Sequence, residues 1–411
     1  MANRIQEQLR MLAVRERMRE GGAERIGEAS ANLPADAVPE RPAEALDNVA
    51  DNLRQLRQRD AQWLEGTDAT AWEQARDIFL AHAGPMLGRA VGRQAPHPHD
   101  GVVAEAVIIA DGTRPSFLLC DGKVDPADPF LGTWGGEVAT ARTAGIDRLA
   151  GAVGRIQPQS GHARNFIGTG TLVSADAGDG TGLILTNMHV IEEARSTFGI
   201  AMTPVGDALR IDGHMEIDFV GEACSLGRNR FRIVEARYPA GAGRIFTGID
   251  AAVATIVPID ETSRFPVPTP ALSTLPAYAT GGLTSLATIG FPAAPGFHDD
   301  PEVDWNFVIG TLFGNKFGLK RLAPGLFTQP LGSHPEDIGH RAIGHDATTF
   351  GGASGSLVVA WLDADTPGFA LHFGGQTSAS NYAVAFAVER TALEAIGVPF
   401  DGAALPPVPT P

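Results

Sequence analysis

The chain has 411 residues, of which 44% are hydrophobic and 19% charged, as in an ordinary soluble globular protein of about two or three domains. Its net charge of −16 excludes most binders of nucleic acids and anionic membranes, because those surfaces require clustered Lys and Arg. The 49 glycines and 29 prolines favour the many turns of an all-β barrel or sandwich over a helix bundle.

The two cysteines, Cys120 and Cys224, lie far apart in different predicted domains. We expect free, mostly buried thiols, since disulfide-stabilised secreted proteins usually carry more cysteines. The N-terminal residues contain no apolar run long enough for a signal peptide, and no stretch reaches the roughly 18 apolar residues of a membrane span. The sequence therefore predicts a cytoplasmic protein without a membrane partner.

Residues 1–95 are predicted to be helical, with apolar residues at helical spacing among Arg, Glu and Gln. Such amphipathic helices need a surface to pack on, which can be their own helices, the following domain or another protein. We therefore expect a regulatory or interaction region here, with a protein partner as one option.

Residues 96–150 are predicted to be a linker and connecting segment with a helix-like stretch over residues 136–149. His97 and His99 lie two apart in the Pro-containing linker. No further Cys or His accompanies them at ligand spacing, so the sequence predicts linker histidines and no metal site.

Residues 151–400 consist of short apolar runs separated by Gly, Pro, Asn and Asp, which is typical of antiparallel barrels. A helix is predicted after the last run, in VERTALEAIGV, and residues 401–411 form a Pro-rich tail. The runs read as strands are GTGTLVSA, GLILTNMHVI, FRIVEARY, AAVATIVPI, LTSLATIGF, FVIGTLFG, GSLVVAWL, FALHFGG and AVAF.

Three short patterns carry candidate chemistry. LILTNMHV places His189 at the end of an aliphatic strand, GIDAAVATI places Asp250 just before one, and TFGGASGSLVV presents Ser354 in a Gly-rich turn. Each pattern alone is more often structural, as a buried histidine, a turn aspartate or a common loop. Together, in the order His, Asp, Ser, they predict a nucleophilic triad.

These blocks, TNMHV, DAAVA and GASGS, resemble those of the trypsin/chymotrypsin superfamily, and in particular its bacterial branch that includes the glutamyl endopeptidases. The resemblance covers residues 151–398. It implies an all-β protease domain, a chymotrypsin-like double antiparallel β-barrel, preceded by the helical N-terminal region. It also implies that the backbone N–H groups of Gly352 and Ser354 form the oxyanion hole.

Rival assignments fit the sequence less well. Asp218 and Asp260 are other candidate acids, but neither has the Asp–apolar–Ala–apolar context of Asp250. An α/β-hydrolase elbow requires Gly-x-Ser-x-Gly and the chain order Ser, Asp, His, whereas Ser356 occupies the fifth position here.

Ala353 stands where the digestive members of the superfamily have the aspartate that pairs with a new N-terminus after zymogen cleavage. That activation switch is therefore not available in the same form, and activity is either gated differently or constitutive. Our hypothesis is that the N-terminal region controls access or targeting.

The resemblance also implies a primary specificity pocket formed by Thr348, Thr349, His372 and Gly374. Hydroxyl and imidazole groups can both donate hydrogen bonds to a carboxylate, which predicts a preference for Glu, or Asp, before the scissile bond. Alternatively, His372 is only a packed strand residue, and the negative net charge would not attract acidic substrates.

The functional prediction is a serine endopeptidase that acts on protein or peptide substrates without a metal or organic cofactor. No acidic loop has convincing calcium-ligand spacing. One alternative is a catalytically silent protease-like scaffold or binding module. Another is an effector protease that a partner switches on through the N-terminal helices.

Overall fold

The computed structural model describes residues 113–159, 161–176, 178–268, 272–281, 285–295, 305–376 and 380–400. The predicted helical region 1–95, the linker histidines His97 and His99, and the Pro-rich tail 401–411 lie outside these residues.

Most of the described residues lie in short antiparallel strands. In chain order the strands are β1 (Phe117–Cys120), β2 (Lys123–Val124), β3 (Val153–Pro158), β4 (Gly168–Asp176), β5 (Thr181–Thr186), β6 (Met202–Val205), β7 (Ala208–Ile211), β8 (Met215–Asp218), β9 (Arg230–Arg237), β10 (Ala252–Pro258), β11 (Ser285–Gly290), β12 (Arg321–Gln329), β13 (Ala342–His345), β14 (Leu357–Val359), β15 (Gly368–Gln376) and β16 (Ser380–Ala385).

The strands form two closed antiparallel barrels. The first follows the order β10-β5-β4-β3-β8-β9 and closes because β9 also pairs with β10, while β7 and β6 extend it. The second follows the order β11-β14-β15-β16-β13-β12 and closes through β11 and β12, with β1 and β2 added at β12. The predicted chymotrypsin-like double β-barrel is therefore confirmed.

Each barrel encloses its own apolar core. Alternate residues of a strand point to one face, so Ile156, Leu172 and Ile217 meet inside the first barrel. The interior of the second barrel contains small residues beside large ones, such as Ala370 and Ala383 against Phe369. Both interiors are filled by side chains, which leaves the loops at the strand ends to carry functional groups.

The described helices are α1 (Leu131–Ala144), α2 (Ile146–Ala152), α3 (Met188–Ser196) and α4 (Phe386–Glu394), with 3₁₀ turns at Ile245–Thr247 and Pro276–Tyr278 and a π-helix at Phe307–Leu312. The helix-like stretch 136–149 is found as α1 and α2, which are divided at Gly145 by its left-handed φ of 117°. None of the helices among the described residues is both long and apolar enough to cross a membrane.

The run FVIGTLFG was predicted to be a strand, and this is wrong. Phe307–Leu312 is helical and buries Val308 and Leu312. They pack with Phe350, which precedes the Gly-rich turn. A short, continuously apolar run has no periodicity that distinguishes a buried strand from a buried helix.

Cys120 and Cys224 form a disulfide, so the prediction of free buried thiols is wrong. Cys120 ends β1, and Cys224 lies in the connection between β8 and β9. The two backbones are already joined beside it, because Ala223 N–H donates to the Leu119 carbonyl at 3.3 Å. The bond therefore links the strand added to the second barrel with a loop of the first.

Candidate active site

His189 lies at the start of α3 and Asp250 lies just before β10, and both belong to the first barrel. His189 Nδ1 lies 2.7 Å from Asp250 Oδ2, and the His189 backbone N–H donates to Asp250 Oδ1 at 3.1 Å. Asn187 Nδ2 donates to the Asp250 carbonyl at 2.6 Å. Both carboxylate oxygens are thus held by one residue, which fixes the imidazole with Nε2 directed away from Asp250.

Burial and the carboxylate act on His189 in opposite directions. Desolvation by burial lowers the pKa of His189, whereas the charge and hydrogen bond of Asp250 raise it, and the net effect is a pKa above the ordinary value of 6.5. Asp250 itself is almost fully buried, with 1% of its side chain exposed. The site therefore favours the protonated imidazole, which a general base must become during the reaction.

Ser354 lies in the turn that connects Phe350 to β14. Gly352 has a φ of 85°, a left-handed conformation that glycine adopts without strain. A Cβ at this position would lie 2.4 Å from Phe166 Cε2, so only glycine allows the ring to pack there. The turn is therefore specified by both backbone conformation and packing.

The strand β4 brings the serine turn next to the histidine helix. Thr169 N–H donates to the Ser354 carbonyl at 2.9 Å. A Cβ built on Gly168 would lie 2.8 Å from Val190 Cγ2 and 3.3 Å from the Ser354 carbonyl oxygen. Val190, which follows His189, and the backbone of Ser354 therefore both lie next to Gly168 of β4.

The serine hydroxyl itself is not bonded to His189 within the part of the chain that the structure describes. Ser354 Oγ donates instead to the Phe373 carbonyl at a long 3.5 Å. Catalytic hydrogen bonds are often long or poorly aligned without substrate, and rotation about one side-chain bond changes the partner of a serine hydroxyl. The structure thus joins His189 to Asp250 and places Ser354 beside them with its hydroxyl turned toward β15.

The N–H groups of Gly352 and Ser354 in the serine turn have no acceptor among the described residues. Ala353 N–H donates to Phe350 and Gly355 N–H donates to His372, each at 3.0 Å, whereas no such bond is made by the N–H groups of Gly352 or Ser354. Ser354 is buried and Gly352 is half-buried, so these two N–H groups are available to bind a ligand oxygen. These are the two donors that the sequence assigns to an oxyanion hole.

The two threonines of the predicted pocket are both buried, and both hydroxyl protons are donated within the protein. Thr348 Oγ1 donates to the Arg114 carbonyl at 2.7 Å, and Thr349 Oγ1 donates to Asn381 Oδ1 at 2.9 Å. Gly374 lies opposite Tyr382 in the pairing of β15 with β16. The threonines therefore shape this wall, and as arranged they leave their hydroxyl protons unavailable to a ligand.

His372 is fully buried on β15 and contacts a second buried histidine. His372 Nδ1 lies 3.3 Å from His345 Nε2, while His372 Nε2 and His345 Nδ1 have no hydrogen-bond partner among the described residues. Burial lowers the pKa of His345 to about 3. Burial, followed by the charges of His345 and His189, also lowers the pKa of His372 well below its ordinary value, so both rings are neutral near pH 7.

The rival carboxylates serve local structure. Asp218 Oδ1 accepts hydrogen bonds from the backbone N–H groups of Val220 and Asn229, each at 3.1 Å, and so joins the two ends of the β8–β9 connection. Asp260 Oδ1 accepts the N–H of Thr262 at 2.8 Å in a surface turn. Only Asp250, of the three candidates, bonds to His189.

His345 and Asn381 were missed by the sequence reasoning, although both contact predicted pocket residues. His345 stands three residues before Thr348, and Asn381 begins the NYAVAF run. A polar residue at an inward-facing position of a predicted barrel strand is the signal that could have identified them, because buried polar groups need partners.

Comparisons with known proteins identify one curated relative of nearly equal length. A protein of Lysobacter enzymogenes named "probable serine protease" is 53% identical over 401 residues, which cover 97% of this chain and 99% of that protein. No protein-family profile matches the chain.

Two solved structures are similar at low identity. They are crystal structures of the Rv3671c protease in inactive forms, the second a substituted variant from M. tuberculosis H37Rv. Each is 14% identical, with TM-scores of 0.34 and 0.35, and they cover 61% and 66% of this chain and 92% and 94% of those chains. Since TM-scores this low do not establish a common fold, the fold assignment rests on the strand pairings.

Proposed function

Because the chain belongs to the serine protease family that includes the Lysobacter protein, we propose that it is a serine endopeptidase with Ser354 as its nucleophile. The observation that carries the proposal is the pair of bonds from Asp250 to one histidine, beside a serine turn with two unpaired N–H groups. Peptide-bond hydrolysis by a serine nucleophile uses these parts together: a base, an orienting acid, a nucleophile and an oxyanion site.

The proposed reaction assigns one task to each group. Ser354 Oγ attacks the scissile carbonyl while His189 Nε2 accepts its proton, and Asp250 stabilises the imidazolium that forms. The carbonyl oxygen becomes an anion and accepts hydrogen bonds from the N–H groups of Gly352 and Ser354. His189 then returns the proton to the leaving amine, which leaves an acyl group on Ser354 for water to remove.

A fluorophosphonate probe tests the nucleophile directly, because it reacts with activated serine hydroxyls. We expect one adduct, and fragmentation mass spectrometry should locate it on Ser354 and not on Ser356. Ser356 is the natural internal comparison, since its hydroxyl donates to the Ala353 carbonyl at 2.6 Å and is buried. If the protein hydrolyses peptides but forms no adduct on Ser354 after incubation with the probe, the assignment is refuted.

The same experiment distinguishes an active protease from a catalytically silent protease-like binding module. A module would bind peptides but show neither the adduct nor hydrolysis. The N–H groups of Gly352 and Ser354 favour the enzyme, because they have no acceptor among the described residues and an oxyanion would supply one.

We further propose that the enzyme prefers an acidic residue before the scissile bond. The support is His372, whose buried Nε2 makes no hydrogen bond of normal geometry within the described part of the chain, while its Nδ1 faces His345. The Tyr382 backbone lies close enough to raise the pKa of His372, but burial outweighs this effect. If His345 Nε2–H donates to His372 Nδ1, the His372 proton lies on Nε2 and is available to a substrate carboxylate. The two threonines contribute shape to this pocket, since their protons are donated elsewhere.

Replacing His372 tests this preference. In His372→Leu we expect the ratio of kcat/KM for Glu over Gln substrates to fall about 10- to 100-fold, the loss typical of one hydrogen bond to a charged group. The ratio is measured with matched peptides that differ only in the residue before the scissile bond. His340→Asn replaces an exposed histidine with positive φ and should leave the ratio unchanged. An unaltered ratio in His372→Leu would make His372 a packing residue.

Two further predictions go beyond the described residues. Regulation through residues 1–95, with a protein partner, stays a prediction that deletion of those residues can test. The cytoplasmic location also stays a prediction, and the Cys120–Cys224 disulfide argues against it, because such bonds persist mainly in oxidising compartments.

A further inference from the structure

We propose that Arg114, which precedes the first barrel in the chain, is a positioning residue that sets the charge and shape of the specificity pocket. This inference rests on the proposed function, since it concerns the pocket wall that contains Thr348. It assigns the segment before β1 a direct part in substrate selection.

The contacts of Arg114 are to consecutive parts of the pocket wall. Its Nε lies 2.9 Å from Asp346 Oδ1, and its carbonyl oxygen accepts the Thr348 hydroxyl at 2.7 Å. The ion pair is largely shielded from water, with 13% of the arginine and 6% of the aspartate side chain exposed. Asp346 Oδ1 also accepts the Leu326 N–H. The loop after β13 is thus stabilised by Arg114, which lies 232 positions before Asp346 in the chain.

The segment that carries Arg114 is itself firmly anchored. Phe117 pairs with Leu322 of β12 and is fully buried. Leu119 N–H donates to the Lys320 carbonyl at 3.0 Å, and the disulfide of Cys120 follows. An ion pair adds more when the backbone of its partners is already fixed, because less conformational freedom is then lost on forming it.

The pair also sets the charge of the loop that carries the pocket threonines. In the sequence, Asp346 follows His345, which contacts His372, and stands two residues before Thr348. Without Arg114 its carboxylate would be an unbalanced negative charge that repels an acidic substrate side chain. Without the Asp346 charge, the guanidinium would attract one. Charges act strongly in this shielded setting, so the two changes should alter selectivity in opposite directions.

The test compares Arg114→Met, Asp346→Asn and the double variant in the full chain. The readout is the ratio of kcat/KM for matched Glu and Gln peptides, relative to the wild type. We expect Arg114→Met to lower this ratio about tenfold, Asp346→Asn to raise it about tenfold, and the double variant to lie within about threefold of the wild type. Arg114→Lys, which keeps the charge, should also lie within about threefold.

The matched control is Arg142→Met, which removes an exposed Arg–Asp pair of 3.3 Å far from the serine turn in sequence and should leave the ratio unchanged. Circular dichroism and thermal melting exclude misfolded variants, and Arg114→Gln replaces Arg114→Met if the latter does not fold. Ratio shifts of the same sign in Arg114→Met and Asp346→Asn, or no shift in either, would overturn the proposal. A wild type without Glu preference would refute the acidic pocket alone, and absence of the Ser354 adduct would refute the protease function.

Discussion

Ser354→Ala is expected to lower kcat for peptide hydrolysis about 10⁶-fold, because the variant cannot form an acyl-enzyme. The protein should still fold, since the one hydrogen bond that the hydroxyl makes to the described residues is a long one of 3.5 Å, to the Phe373 carbonyl. Residual turnover would come from binding and the oxyanion donors, which act without the nucleophile. The measurement is kcat with a fluorogenic peptide, together with the melting temperature of both proteins.

The control for this prediction is Ser356→Ala. Ser356 is buried in the same turn, and its hydroxyl donates to the Ala353 carbonyl. Its loss should cost about 1 kcal/mol of folding stability while kcat falls less than about tenfold. The assignment is wrong if Ser354→Ala keeps more than about one hundredth of the wild-type kcat. It is also wrong if Ser356→Ala shows the large loss of kcat and Ser354→Ala the small one.

Asp250→Asn is expected to lower kcat about 10⁴-fold with little change in fold. The Asn amide would donate to His189 Nδ1, so the imidazole proton would lie on Nε2, where it blocks proton transfer from Ser354. The His189 backbone N–H can still donate to the amide oxygen in place of Oδ1, which it now contacts at 3.1 Å. The loss of charge also removes the influence that raises the pKa of His189 above its ordinary value.

The matched control is Asp260→Asn, which changes a rival aspartate that binds only its own turn. Its kcat should stay within about threefold of the wild type. Steady-state kinetics over a range of pH measures both variants, and in Asp250→Asn we expect the loss in kcat to persist at every pH at which the protein is folded. A large loss in Asp260→Asn combined with a small one in Asp250→Asn would show that the acid was assigned wrongly.

The sequence predicts the barrels and the His189–Asp250 pair because each depends on local pattern. Strand alternation and turn residues indicate barrels, and the order of three short blocks indicates which carboxylate faces the histidine. The pairing of Cys120 with Cys224 could not be predicted, because two isolated cysteines 104 residues apart give no spacing pattern.

The partners of the pocket residues lie beyond sequence reasoning for a related reason. The Thr348 hydroxyl donates to the carbonyl of Arg114, and any residue type offers a carbonyl. Side-chain identity therefore says nothing about this contact. The His345–His372 pair depends on two strands lying on either side of β16, and that order is a property of the closed barrel.

The disulfide closes a covalent ring that contains β3 to β8 and the helix of His189. A protease exposed to its own activity, or to that of others, can be cut within this ring at any surface loop. A cut between His189 and Cys224 leaves both pieces tied together through Cys120 and Cys224, so the fragment with the histidine stays tethered to the fragment with the serine. The molecule then outlasts a single internal cleavage until a reductant separates its parts.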